Sequence, residues 1–134
     1  MGCDGTNGMP VEYTIDDARR LVRSRAWGAV SFGDMRRARD ELLADPRFVP
    51  TYQELLDLRE VSHFNLSTEE LRELAARHVF AAGTRRAIVH PANRPVFRGL
   101  VHMFEAFREL AGGHEFIRAF EDVSVAIEWL NAQP

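Results

Sequence analysis

Residues 53–58, Gln53-Glu54-Leu55-Leu56-Asp57-Leu58, set Leu55, Leu56 and Leu58 in a nearly continuous apolar array. A strand covered on both faces requires this pattern, whereas a half-solvated strand would alternate apolar and polar side chains. The sequence on either side reads as helix. Downstream, Ser67 precedes Leu71, Leu74, Ala75, His78 and Val79, which recur at helical spacing. Upstream, Gly33–Asp34 open a helix carrying Met35, Ala38, Leu42 and Leu43, with Asp34 expected as its N-cap and Asp45–Pro46 as its end. A buried strand between two helices is the repeating unit of a parallel sheet.

The alternation continues outward. Ala87-Ile88-Val89 is a short buried strand, and a third helix is expected from about Pro95, tolerated in a first turn, to Leu110, where Gly112–Gly113 stop it. Phe116 to Phe120 form a last strand, and Asp122 caps a short helix carrying Val123, Ala126, Ile127 and Leu130. On the N-terminal side, Val11, Tyr13 and Ile15 alternate with Glu12 and Thr14. A second β-like run, Leu21 to Phe32, follows the turn at Asp16–Asp17, so the two form a hairpin. The expected order is β-β-α-β-α-β-α-β-α: one α/β domain over residues 10–134, a mixed sheet with an antiparallel hairpin and parallel crossovers. Residues 1–9 are Gly-rich and aperiodic and read as a disordered tail, in which Gly2, Cys3 and Thr6 also fit a lipidation pattern.

With 134 residues, 46% of them hydrophobic, the chain buries one core. A formal charge of −3 disfavours a general nucleic-acid or anionic-membrane surface. No apolar run approaches the ~20 residues of a membrane span, and no signal peptide is read at the start, so a cytoplasmic location is expected. All 17 basic residues are Arg. That removes the phosphate-binding Lys of a P-loop and any Schiff-base Lys. A lone Cys3 excludes an internal disulfide and a multi-cysteine zinc site. There is no Gly-rich dinucleotide loop, nucleophile elbow or His-Glu-x-x-His pair, and His63, His78, His90, His102 and His114 fall singly on different elements. No catalytic residue, metal or cofactor is therefore expected. An enzyme would need His63 and His90 to converge with Asp122 or Ser67.

Candidate binding residues come from topology. Function in open α/β sheets collects beyond the C-terminal ends of the parallel strands. The expected loops there, Glu60–Ser67, His90–Arg94 and Glu121–Ser124, present His63, Asn65, Ser67, His90, Asn93, Arg94, Asp122 and Ser124 on one edge. Ser67 and Glu70 have the spacing of a capping box. A phosphate on Ser67 would meet the positive end of a helix, with Glu69 and Glu70 repelling it. The third helix carries more apolar residues than one face needs. Phe97, Met103, Phe104 and Phe107 are candidates for a partner or ligand face, and a homodimer contact is the simplest use of Met103. The alternative is a small amphipathic ligand held near Phe97, Met103, Phe104 and Trp27.

The segment Leu56-Asp57-Leu58-Arg59-Glu60-Val61-Ser62-His63-Phe64-Asn65-Leu66-Ser67-Thr68 resembles the Asp-Leu…Val…Asp-Ser-Ser-Gly loop of STAS domains, the anti-sigma-factor-antagonist fold. From Val11 to Leu130 the chain is similar to the SpoIIAA-like group. The similarity runs through Leu56-Asp57-Leu58-Arg59, Arg85-Arg86-Ala87-Ile88-Val89, Met103-Phe104-Glu105-Ala106 and Phe120-Glu121-Asp122-Val123. The resemblance implies a non-catalytic domain that binds protein partners, a kinase or regulator among them, with Ser67 at the phosphorylated position. Asn65 falls on the acidic position, Leu66 on the first Ser and Thr68 on the Gly, and these are departures from the pattern. The group also borders the lipid-binding Sec14-like fold, which implies the small amphipathic ligand.

Overall fold

The computed structural model describes residues 10–132. Strands β1 (Val11–Asp16) and β2 (Leu21–Ser31) form the antiparallel hairpin, with Val11 opposite Ala26 and Asp16 opposite Leu21. Then follow α1 (Phe32–Ala44), β3 (Gln53–Asn65), α2 (Thr68–Ala75), β4 (Arg85–Val89), α3 (Pro95–Leu110), β5 (Phe116–Phe120) and α4 (Val123–Asn131). The expected element order is the observed one. Sheet order is β1-β2-β3-β4-β5, and every pair after the hairpin is parallel.

This order places the helices. Each crossover from β2 to β5 moves one strand in the same direction, and crossovers of one hand moving in one direction share a face. Helices α1, α2 and α3 pack on that face, where Leu56, Leu58 and Ile88 meet Met35, Phe97 and Val101. Helix α4 covers the other face, setting Ala126 and Leu130 on Leu55, Ala87, Val89 and Phe120. Consecutive residues of β3 and β4 thus enter opposite cores, which explains their unbroken apolar runs. Because the order never reverses, the sheet lacks the switch-point crevice of doubly wound folds.

Three expectations need correction. Asp34 is not the N-cap of α1. Ser31 is, accepting from the Asp34 N–H at 3.2 Å, while the Asp34 carboxylate accepts from the Ser31 N–H at 2.9 Å. The strand read as 53–58 continues to Asn65, paired with β2 from Leu21↔Gln53 to Ser31↔Asn65 with register shifts at Arg25/Trp27 and Gly28/Ala29, whereas β4 reaches only Glu54–Asp57. Beyond β4 the strand loses its second neighbour, so Arg59, Glu60, Ser62 and His63 are exposed and resemble a loop in sequence. Helix α2 ends at Ala75 and does not extend to Val79. Val79 and Phe80 instead join Leu42, Tyr52 and Val22 as an irregular segment in the core.

Candidate functional site

Between α1, α2, α3 and the sheet lies a cavity of about 70 Å³. Leu56, Leu58 and Ile88 form its floor, and Met35, Leu71, Phe97 and Val101 its walls. Phe64, Leu66, Leu74, Leu100 and Phe104 line it while only half-buried, so they form its solvent-facing rim, drawn from the end of β3, α2 and α3. Three guanidinium groups, from Arg39, Arg77 and Arg86, complete the lining.

Two of those arginines, Arg39 and Arg86, belong to a buried ionic ladder. Arg39 Nη2 lies 2.6 Å from Glu54 Oε2, and Arg86 Nε donates to Glu54 Oε1 at 2.9 Å. Arg86 Nη1 donates to Glu115 Oε2 at 2.9 Å, and Arg108 Nη2 donates to Glu115 Oε1 at 2.8 Å. Arg108 Nη1 continues to the carbonyls of Ala75 and Arg77, at 2.7 and 3.1 Å, tying α3 to the end of α2. The Arg86 guanidinium also lies against Phe80 and Phe104, 4.7 and 5.4 Å from their ring centres. Burial pushes the Glu54 carboxyl up, but Arg39 and Arg86 outweigh it and hold the group below the ordinary carboxylate range. Burial likewise works against the Glu115 charge, and Arg108 and Arg86 hold its carboxyl down. Isolated charges at this depth would be prohibitive, and the ladder satisfies each with an opposite neighbour. Arg77 sits at the margin: Nη2 pairs with Asp40 Oδ1, while Nη1 is buried with no hydrogen-bond partner.

Of the residues expected at the sheet edge, hydrogen bonds among the described residues join only Asp122 and Ser124 to one another. Ser67 is exposed and caps α2, accepting from the Glu70 N–H at 3.1 Å, with Glu70 Oε1 accepting from the Ser67 N–H at 2.9 Å. His63 and Asn65 lie on β3, not in a loop, and the His63 ring contacts the Ser62 hydroxyl at 3.1 Å. His90 is buried, its Nδ1 3.0 Å from the Pro91 carbonyl oxygen and its Nε2 without a partner. Asn93 is exposed. Arg94 reaches the Val61 carbonyl at 3.4 Å and covers the Phe97 ring. Asp122 caps α4 through Ser124 and Val125. No hydrogen bond among the described residues joins His63 or His90 to Asp122 or Ser67, and no group of three metal-ligating side chains occurs among them.

On α3, Phe97 is buried and Phe104 lies on the cavity rim, Phe107 is half-buried beneath the Arg72 guanidinium, and Met103 is exposed. The pocket expected near Trp27 and Met103 includes neither. Trp27 stacks under Arg25 on β2, and Met103 points away from the sheet. Gly2 and Cys3, the lipidation candidates, lie outside the described residues. The sequence reading missed the ladder, although Glu54 directly precedes the apolar Leu55-Leu56 and Arg86 the apolar Ala87-Ile88-Val89, and a charge set at the start of a buried run is the signal of a buried ion pair.

No protein-family model and no curated protein matches the chain. It is similar to the solved structure of an uncharacterized DUF3478-family protein with a SpoIIAA-like fold from Shewanella loihica PV-4. The TM-score is 0.61 at 18% identity, over 94% of this chain and 98% of that one. The fold is therefore SpoIIAA-like, and no helix among the described residues is long and apolar enough to cross a membrane.

Proposed function

We propose that this is a non-catalytic regulatory domain that binds a protein partner across the rim between α2 and α3, with the cavity receiving one apolar side chain of that partner. The cavity's size carries the reading. At about 70 Å³ it is roughly half of the ~150 Å³ that accommodates a benzene molecule, so it suits a single side chain better than a lipid tail. The half-buried apolar rim of Phe64, Leu66, Leu74, Leu100 and Phe104 supports it, as aromatic and aliphatic anchors dominate binding when seated in desolvated pockets. Ser67 follows rim residue Leu66 directly, and a phosphate there would set a dianion beside the apolar mouth and change the contact.

Filling the cavity by Val101→Phe tests this. In lysate of the protein's own host, the immobilised wild-type chain should retain a partner that the filled, folded variant does not. Equal capture by both would refute the cavity as the binding centre.

The second reading is a small amphipathic ligand. Arg77 Nη1 favours it, as a buried donor at the cavity margin that lacks an acceptor. Such a ligand would require the rim to open further. Native mass spectrometry would then show an adduct lost on denaturation, and a bare chain would remove the reading.

A further inference from the structure

Helix α3 carries two stripes, and the described residues of its own chain cover one. Phe97, Val101 and Arg108 are buried beneath it, whereas Val96, Gly99, Met103, Ala106 and Leu110 are exposed. The exposed five are separated by 3, 4, 3 and 4 residues, the period of a helix–helix seam. They alternate large and small, and the large ones, Val96, Met103 and Leu110, are 60%, 39% and 84% exposed.

Two features of this stripe have no use among the described residues. Gly99 occupies the helix interior, where only Pro is a poorer helix former. A β-carbon there would meet nothing within 4 Å, so no neighbour in the fold requires glycine. The flank beside the stripe reads Arg98, His102, Glu105, Glu109, all exposed. Its basic residue is near the helix N-terminus and its acidic residues are in the C-terminal half, opposite to what the helix dipole favours. None of Arg98, Glu105 and Glu109 has an ion-pair partner among the described residues.

We propose that α3 pairs antiparallel with α3 of a second copy about a two-fold axis near Met103. Reversal around that point sets Val96 opposite Leu110 of the second copy and Met103 opposite its counterpart. Gly99 falls within one residue of the second copy's Ala106, where the absent side chain lets the backbones approach. The same operation brings Arg98 to Glu109 of the second copy and His102 to Glu105. Parallel pairing, about an axis running along the helices, would turn this flank toward the other side of the second copy's stripe, where Leu100 and Phe107 stand, and leave its charges without partners, so the charges select the antiparallel form. An isologous contact closes at two copies. None of the five stripe residues lines the cavity, so the seam stands apart from the function proposed above.

Sedimentation equilibrium of the full chain and its variants tests the seam. The wild type should form a dimer, and Arg98→Glu or Glu109→Arg alone should each weaken it about tenfold or more. The double variant, which restores opposite charges with reversed polarity, should recover most of that loss. Gly99→Leu and Met103→Asp, both at solvent-facing positions, should give monomers with unchanged circular dichroism. A wild-type monomer at every attainable concentration overturns the proposal. So does a dimer that tolerates the single reversals, or one that the double reversal fails to rescue.

Discussion

A β-carbon built on Gly113 would lie 2.7 Å from Cζ of Arg108. The glycine is what allows the Arg108 guanidinium to fold back on Glu115. Its neighbour Gly112 serves a different need, ending α3 with φ of 89°.

Gly113→Ala should therefore displace Arg108 and cost about 1–3 kcal/mol, the range for overpacking a filled site. Chemical denaturation measures it. A change of a few tenths of a kcal/mol would mean that the guanidinium has room to move that the structure does not show.

Glu54→Gln keeps the shape and removes the charge that holds Arg39 and Arg86. Deleting one partner of a buried ion pair costs about 3–5 kcal/mol, because the remaining charge is stranded. Replacing Arg39, Glu54 and Arg86 together by apolar residues should cost less than the single change. A single variant as stable as wild type would show that water reaches the ladder.

Acid should act through the same residues. Both Glu54 and Glu115 have carboxyls held below their ordinary range, so the fold prefers their charged forms. The stability they contribute is complete above the unfolded value of about 4.3 and is lost as pH falls through the folded values. Urea midpoints measured from neutral to acid pH should fall steeply below that point, and Glu115→Gln should flatten the fall. At the alkaline end, burial and the hydrogen bond to Asp45 push the Tyr13 hydroxyl up to about 12. Tyr13→Phe should remove a loss of stability that sets in as pH rises through the tyrosine range.

Ser67→Ala tests whether the cap is more than local. As an N-cap alone, Ser67 contributes about 1 kcal/mol. The variant should melt at a lower temperature by that measure and should still bind the partner in its unphosphorylated form. Loss of partner binding at unchanged stability would give the hydroxyl a direct contact role.

Element order, the hairpin and the two buried faces were legible because Leu55, Leu56 and Ile88 need opposite cores, and only a two-layered sheet provides them. The length of β3 was not, because its outer half has one strand neighbour and polar exposed side chains such as Ser62 and His63. Helical periodicity also misled at His78 and Val79, where an irregular segment enters the core at a spacing a helix would share. Of the candidate site, the cap at Ser67 was readable as a local pattern of four residues. The cavity was not, since its lining comes from three helices and two strands whose mutual approach no local spacing encodes.

Each strand of the sheet hydrogen-bonds to the one that precedes it in the chain. Every pairing step can thus add to an edge already formed. During synthesis the N-terminal hairpin can act as the template before the C-terminal strands leave the ribosome. The ionic ladder breaks this sequence of local steps: Arg86 holds Glu54 on one side and Glu115 on the other, so it cannot close until the segment leading into β5 has docked. A chain truncated before Glu115 would leave Arg86 and Arg108 without that carboxylate, which couples the integrity of the core to completion of the polypeptide.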